Sequence, residues 1–285
     1  MALVAGTIAL ATFLALGGRK TEVFAGPLAL GLGYLAGQVI AAGWPTRFPV
    51  QTAEWIPFIA LAALIVAVIQ ALVPTAVGWL LRVLLIVFVL YVLLRKQIEN
   101  EHWKLLQGLD WVATLGCAAL LLSAVLDQLA GCIKSLSLFP MLAVWLAASG
   151  ATLILSGNLL LGLLDGALMA TLVAGFFAAC WHRQLSLAPG AATIVATLCL
   201  TFWISGFFYG ELPALSFRML LLCPPLILLV LLSIQNRWGP WQAAVAYTAV
   251  LIFPLALAVT AAALPTPSES EPDVPAMPAA EYDEM

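Results

Sequence analysis

The sequence predicts an all-α fold, a polytopic transmembrane helical bundle, and three observations predict it. Of 285 residues, 64% are apolar and 9% are charged, where a soluble domain carries about 25% charged residues. The mean hydropathy of +1.10 leaves too few polar side chains to cover one soluble core. The apolar residues also fall into runs long enough to cross a bilayer, which takes roughly 17–25 residues of helix. Soluble, disordered and disulfide-scaffold classes are thereby excluded. No nucleic-acid partner is expected, and the lipid bilayer is the expected surrounding.

Applied along the chain, that ruler gives about ten spans: 2–17, 24–43, 56–73, 76–94, 109–130, 139–156, 159–181, 188–207, 215–234 and 240–263. The first is short, so nine crossings is the alternative. It has no basic residue before it, and Arg19 and Lys20 follow it, the reverse of a signal peptide. Retention as a helix is therefore expected. Spans three and four are separated by Val73-Pro74-Thr75, and six and seven by Ser156-Gly157-Asn158. Each joint reads as a tight turn or as the flank of a re-entrant segment. The run from Val83 to Leu94 is apolar on every side, unlike the alternating strands of a membrane barrel.

Pro27, Pro57, Pro140, Pro189 and Pro240 fall near span beginnings, where a missing amide donor does little harm. Trp44, Trp55, Trp103, Trp111, Trp181, Trp238 and Trp241 fall near span ends, as interfacial anchors do. Residues 1–263 form the membrane domain. Residues 264–285, with five prolines and six acids, read as a disordered acidic tail. Without those six acids the remaining 11 basic and 8 acidic side chains leave the body mildly basic.

Basic residues do not orient the molecule. With ten spans, Arg47, Arg95, Lys96, Lys104 and Arg218 fall on one side, and Arg19, Lys20, Lys134, Arg183 and Arg237 on the other. The long charged loop from Arg95 to Gly108 favours a cytoplasmic N-terminus. Such balance suits inverted halves, and a five-plus-five repeat has some support. Spans two and seven both end in a small-residue run closed by Trp44 or Trp181, spans four and nine carry Arg82 and Arg218, and spans five and ten begin with Trp111 and Trp241.

Ionisable residues inside a span cost about 2.5–3.5 kcal/mol each at the centre, so each needs a reason. The candidate intramembrane polar site comprises Asp165, Arg218, Arg82, Asp127 and Gln38. Helix parity puts Arg82 and Asp127 in one leaflet and Asp165 and Arg218 in one leaflet. It separates Asp127 from Asp165, against an aspartyl dyad. Snorkelling or an ion pair accounts for Arg82, Asp127 and Arg218. Asp165 lies deeper, within Gly162-Leu163-Leu164-Asp165-Gly166, whose glycines permit close helix approach. Gln38 follows Gly33-xxx-Gly37, and Gln38 and Gln70 are expected to hydrogen-bond between helices. Pro224-Pro225 and Pro254 free carbonyls inside late spans, as in the broken helices of transporters.

Enzyme signals are thin. His102 and His182 sit at span edges, and no HExxH, G-x-S-x-G or Walker motif occurs. The cysteines Cys117, Cys132, Cys180, Cys199 and Cys223 form no CxxC and read as packing residues. No catalytic residue, metal or cofactor is expected. Size and span plan resemble the drug/metabolite transporter superfamily in architecture. Glu54-Trp55-Ile56-Pro57 and Leu155-Ser156-Gly157-Asn158 are similar to runs in uncharacterised polytopic bacterial membrane proteins, which implies a bacterial cytoplasmic membrane and no particular activity. Two functions stand at this point. One is a secondary permease for a small-molecule solute. The other is a non-catalytic membrane scaffold or subunit acting through membrane protein partners.

Overall fold

The computed structural model describes residues 1–16, 22–43, 49, 51–99, 105–133, 135–181, 190–234 and 240–264. The acidic tail, the two histidines and most of the charged loops lie outside these residues. Among the described residues there is no strand, and ten helices follow one another. They are α1 (Ala2–Leu16), α2 (Glu22–Ala42), α3 (Ile56–Gln70), α4 (Thr75–Glu99) and α5 (Leu105–Cys132). Then come α6 (Ser135–Leu155), α7 (Leu159–Trp181), α8 (Ala191–Tyr209), α9 (Ala214–Ile234) and α10 (Pro240–Ala263). A short 3-10 turn, Thr52–Trp55, leads into α3. Seven of the helices are long and apolar enough to cross a membrane over their described residues. The chain is a multi-pass membrane protein.

The outer surface explains the excess of apolar residues. Leu80, Leu84, Val87 and Tyr91 are each more than half exposed along one side of α4, while Leu85, Val89, Leu90, Leu93 and Leu94 are buried on the other. A helix apolar on its inner and outer faces alike is stable only where the solvent is hydrocarbon.

Both uncertain joints are tight turns. After α3, Leu72 N–H and Val73 N–H bond Ile69 O, and Pro74 O accepts Gly78 N–H to begin α4. After α6, Gly157 takes φ +80°. Its N–H bonds Ile154 O at 3.0 Å, and Asn158 N–H bonds Leu153 O at 2.9 Å. This is a Schellman ending, in which a glycine in the left-handed region lets the last carbonyls be satisfied. Asn158 O then accepts Gly162 N–H in α7.

Three helices, α2, α5 and α6, begin two or more residues before their apolar runs. Pro27 and Pro140 consequently lie inside α2 and α6 and not in a first turn. Polar residues at Glu22 and Ser135 extend each helix backward past its apolar limit. The prolines of α9 and α10 also differ from expectation. Both helices run unbroken through Pro224-Pro225 and Pro254. The Leu220 carbonyl, which loses its helical donor at Pro224, accepts the Trp145 indole N–H at 3.1 Å. An aromatic side chain from α6 thus replaces the missing bond.

Helix α8 is the axis of the bundle: every residue from Ala191 to Gly206 is buried. On one side stand α3, α4 and α5. On the other, α1, α2, α6 and α7 pack on one another, and the α9–α10 pair closes the ring against α5 and α6. Small residues set these approaches. A Cβ added at Gly37 would lie 2.9 Å from Ala5 Cβ and 3.0 Å from Ala167 Cβ. One at Gly33 would lie 2.8 Å from Thr171 Cγ2 and 2.9 Å from Ala5 O. Gly33 and Gly37 therefore let α1, α2 and α7 meet at one seam. The α7 pair behaves differently: Gly162 abuts Ile154 and Gly150 of α6, while nothing lies within 4 Å of a Cβ at Gly166. Gly37→Leu should cost about 1–3 kcal/mol by overpacking, whereas Gly166→Ala should be neutral. Thermal unfolding in detergent, followed by size-exclusion chromatography, checks the contrast.

Candidate functional site

The intramembrane polar residues divide into two clusters, one near the end of the bundle where α3 turns into α4 and one deeper in it around Asp165. The first joins α3, α4, α5 and α8. Arg82, whose side chain is only 5% exposed, pairs with Asp127, whose side chain is 30% exposed. The shared end of α4 and α5 anticipated from helix parity is thus realised as a direct ion pair. Arg82 does not snorkel, because Gln70 Oε1 approaches its second terminal nitrogen at 3.5 Å and the Trp79 ring stacks 4.6 Å from its Cζ. Gln70 Oε1 also accepts the Thr193 hydroxyl at 2.8 Å, and Gln70 Nε2 donates to Gly78 O at 3.0 Å. The interhelical hydrogen bonding expected of Gln70 is present. Arg82 Nε alone has no partner. The four side chains bind four helices together and satisfy most of one another's polar atoms.

The second cluster contains Asp165, which is 0% exposed on α7. Neither carboxylate oxygen has a hydrogen-bond partner, and neither Tyr34 Oη nor Gln38 Oε1 on α2 has one. Tyr34 is 0% exposed and Gln38 1%. One helical turn apart, they lie on the same face of α2. Tyr34 and Cys199 of α8 are within electrostatic reach of the Asp165 carboxyl, and Ser149 of α6 lies beside it. The Ser149 hydroxyl oxygen accepts the Trp203 indole N–H at 2.7 Å, so its own proton remains to be donated. Trp203 in turn meets Trp145 edge-on, centroids 5.4 Å apart. Asp165 therefore ends a chain of contacts that runs through Ser149, Trp203 and Trp145 to the proline-freed carbonyl of α9.

Two expectations need correction. Arg218 does not meet Asp165; it is exposed on α9, which packs on α5, α6, α8 and α10 and away from α7. Sharing an end of the bundle put both groups at one level without making them neighbours. Nor does Gln38 Oε1 find an interhelical partner. Among the cysteines, Cys199 and Cys223 are buried in packing positions, but Cys117, Cys132 and Cys180 face outward.

Sequence reasoning passed over Tyr34, Ser149 and Thr193 because none is ionisable within the ordinary range. One signal was readable. Thr193, Thr197, Thr201 and Ser205 recur every fourth residue of α8, and all four are buried. At 100° per residue they share a face, and Cys199 and Trp203 occupy the opposite one. Helix α8 thus presents hydroxyls toward Gln70 and an apolar-aromatic face toward Asp165.

Asp165, Tyr34 and Gln38 are themselves buried. A small cavity of about 10 Å³ is lined by Leu126, Ala130, Leu138, Leu142, Ala192 and Val195, all apolar and distant in sequence from Asp165. The Asp165 cluster is closed. Among the described residues no group of three His, Cys, Asp or Glu side chains could hold a metal ion.

No family model, curated protein or solved structure matches the chain. The two clusters make opposite demands on mutation. Asp127→Ala strands a buried guanidinium and should cost about 3 kcal/mol, as breaking a buried pair does. Adding Arg82→Met should recover most of that loss. A double-mutant cycle of thermal stability in detergent tests the coupling.

Proposed function

We propose that the protein is a secondary permease for a small solute in the bacterial cytoplasmic membrane, its ten helices each crossing the bilayer. The observation that carries this reading is the Asp165 carboxyl: fully buried, with the Ser149 hydroxyl beside it and with no basic side chain paired to it among the described residues. Burying such a group ionised costs several kcal/mol. A protein that only held its helices together would gain by replacing it with an apolar residue. Intramembrane ionisable groups of this kind mark ion and substrate pathways.

Position supports the same reading. Asp165 stands where α7 meets α2 and α6, in a group of helices joined to α3 through α2. The Arg82–Asp127–Gln70–Thr193 network stiffens the group of α3, α4 and α5. One braced unit and one glycine-lined unit, meeting at the α2–α3 contact and at α8, suit the rocking of one bundle against another that alternating access requires. An inverted five-plus-five relation would pair α2 with α7 and α3 with α8, which do pack together, but it would also match α1 on α7 with α2 on α6, which is not a packed pair. Any such duplication has diverged in its side chains, since Arg82 is buried and Arg218 exposed.

The closed arrangement is one state of the cycle. Cys199, 0% exposed beside the cluster, reports on opening without knowledge of the solute. In a variant with Cys117, Cys132, Cys180 and Cys223 replaced by alanine, reconstituted in sealed vesicles, a membrane-impermeant methanethiosulfonate should label Cys199 measurably over minutes. A static scaffold leaves Cys199 unlabelled for hours in the folded protein and labelled only after denaturation.

A further inference from the structure

We infer that Asp165 is a proton-carrying group, held in the closed bundle as the neutral acid and exchanging its proton with water when the site opens. The exchange rests on the permease reading; the neutral acid does not. Three observations lead to it.

The first is the state of the carboxyl itself. Both Asp165 oxygens are fully buried, and the polar groups beside them, the hydroxyls of Tyr34 and Ser149, are neutral. Ser149 already accepts from Trp203, so its own proton can go to one carboxyl oxygen. Neutral donors of this kind leave an ionised carboxylate with most of its desolvation cost, whereas the neutral acid bears far less of it.

The second is that, among the described residues, the helices packed against α7, which are α1, α2, α6 and α8, carry no basic side chain; half-buried Met1, ahead of α1, carries the amino group at that end. Helices α1 and α6 contain no ionisable side chain. On α2, Tyr34 faces the cluster, and Glu22 lies at the far end of the helix. On α8, Cys199 faces it, while Tyr209 is at the last turn and donates to Leu93 O. Arg82 is engaged with Asp127.

The third is room. A Cβ added at Gly150 would lie 3.6 Å from Asp165 Oδ2 and 3.3 Å from Gly162 O, so the gap between α6 and the carboxyl holds about one carbon atom. A solvated metal ion or an organic amine needs more space than that in the closed bundle; a proton adds no volume. The step balances simply. Water on the open side gives a proton, one O–H bond forms on the carboxylate, and that bond breaks when the carboxyl meets water again. No electron moves.

Infrared spectroscopy of the intact protein in phosphatidylethanolamine–phosphatidylglycerol vesicles tests this. At pH 7, wild type minus Asp165→Asn should show a carboxylic C=O stretch that shifts in D2O and is wholly lost in the variant. Asp165→Glu should keep the band at an altered frequency, which preserves the test if the asparagine variant does not assemble. A difference spectrum holding only carboxylate stretches at pH 7 overturns the inference, and so does loss of the band on adding sodium at fixed pH. Absence of the band with Cys199 still labelled defeats the proton and spares the permease. A band that persists with Cys199 inert, and that does not exchange in D2O, defeats the carrying role.

Discussion

Water removed from around a polar group must be replaced by protein, and in hydrocarbon that replacement has to come from within the bundle. The backbone meets the demand through helices, and at Pro224 through the Trp145 indole reaching across to the stranded Leu220 carbonyl. Arg82 meets it with Asp127 and Gln70. Asp165 does not meet it, and the functional reading follows from that difference. Two groups of equal formal cost are treated differently by one fold: one is paired across four helices, the other is left beside Tyr34, Gln38 and Ser149 with its valences open.

Helix α8 makes this asymmetry possible. It is buried on all sides, so neither of its faces is available to lipid and both can be specialised. Hydroxyls at Thr193, Thr197, Thr201 and Ser205 line one face, and Cys199 and Trp203 line the other. The braced cluster then meets α8 at Thr193, in its first turn, and the open one at Cys199, near its middle. Glycines act on the open side. Gly33 and Gly37 bring α2 against α1 and α7, while Gly150 and Gly162 bring α6 against α7. Smooth backbone contacts of this kind slide with less interlocking than large side chains do, consistent with motion located there.

Much of this was legible in the residues. Run length alone placed all ten helices within a few residues of their bounds, because a bilayer of fixed thickness dictates how long an apolar run must be. Parity of direction brought Arg82 to Asp127 and kept both from Asp165. It failed for Arg218, since knowing the level of a residue says nothing about its rotation around the helix axis. Helix starts at Glu22 and Ser135 were missed because polar residues at an interface can be helical without being apolar. The proline-interrupted helices proved continuous, as the partner of a freed carbonyl is a tertiary contact that no local pattern encodes. Tyr34 and Ser149 were invisible for a similar reason: their importance lies in facing Asp165 from α2 and α6.

A permease with these two polar clusters needs them to lie toward opposite faces of the membrane. Leu72, after α3, and Leu159, at the start of α7, are 68% and 60% exposed and mark the two ends of the bundle. In a protein freed of native cysteines, Leu72→Cys and Leu159→Cys can each be probed in sealed, uniformly oriented vesicles with an impermeant maleimide. Labelling of one from outside and of the other only after the vesicles are opened is the predicted result. Labelling of both from the same side would contradict it.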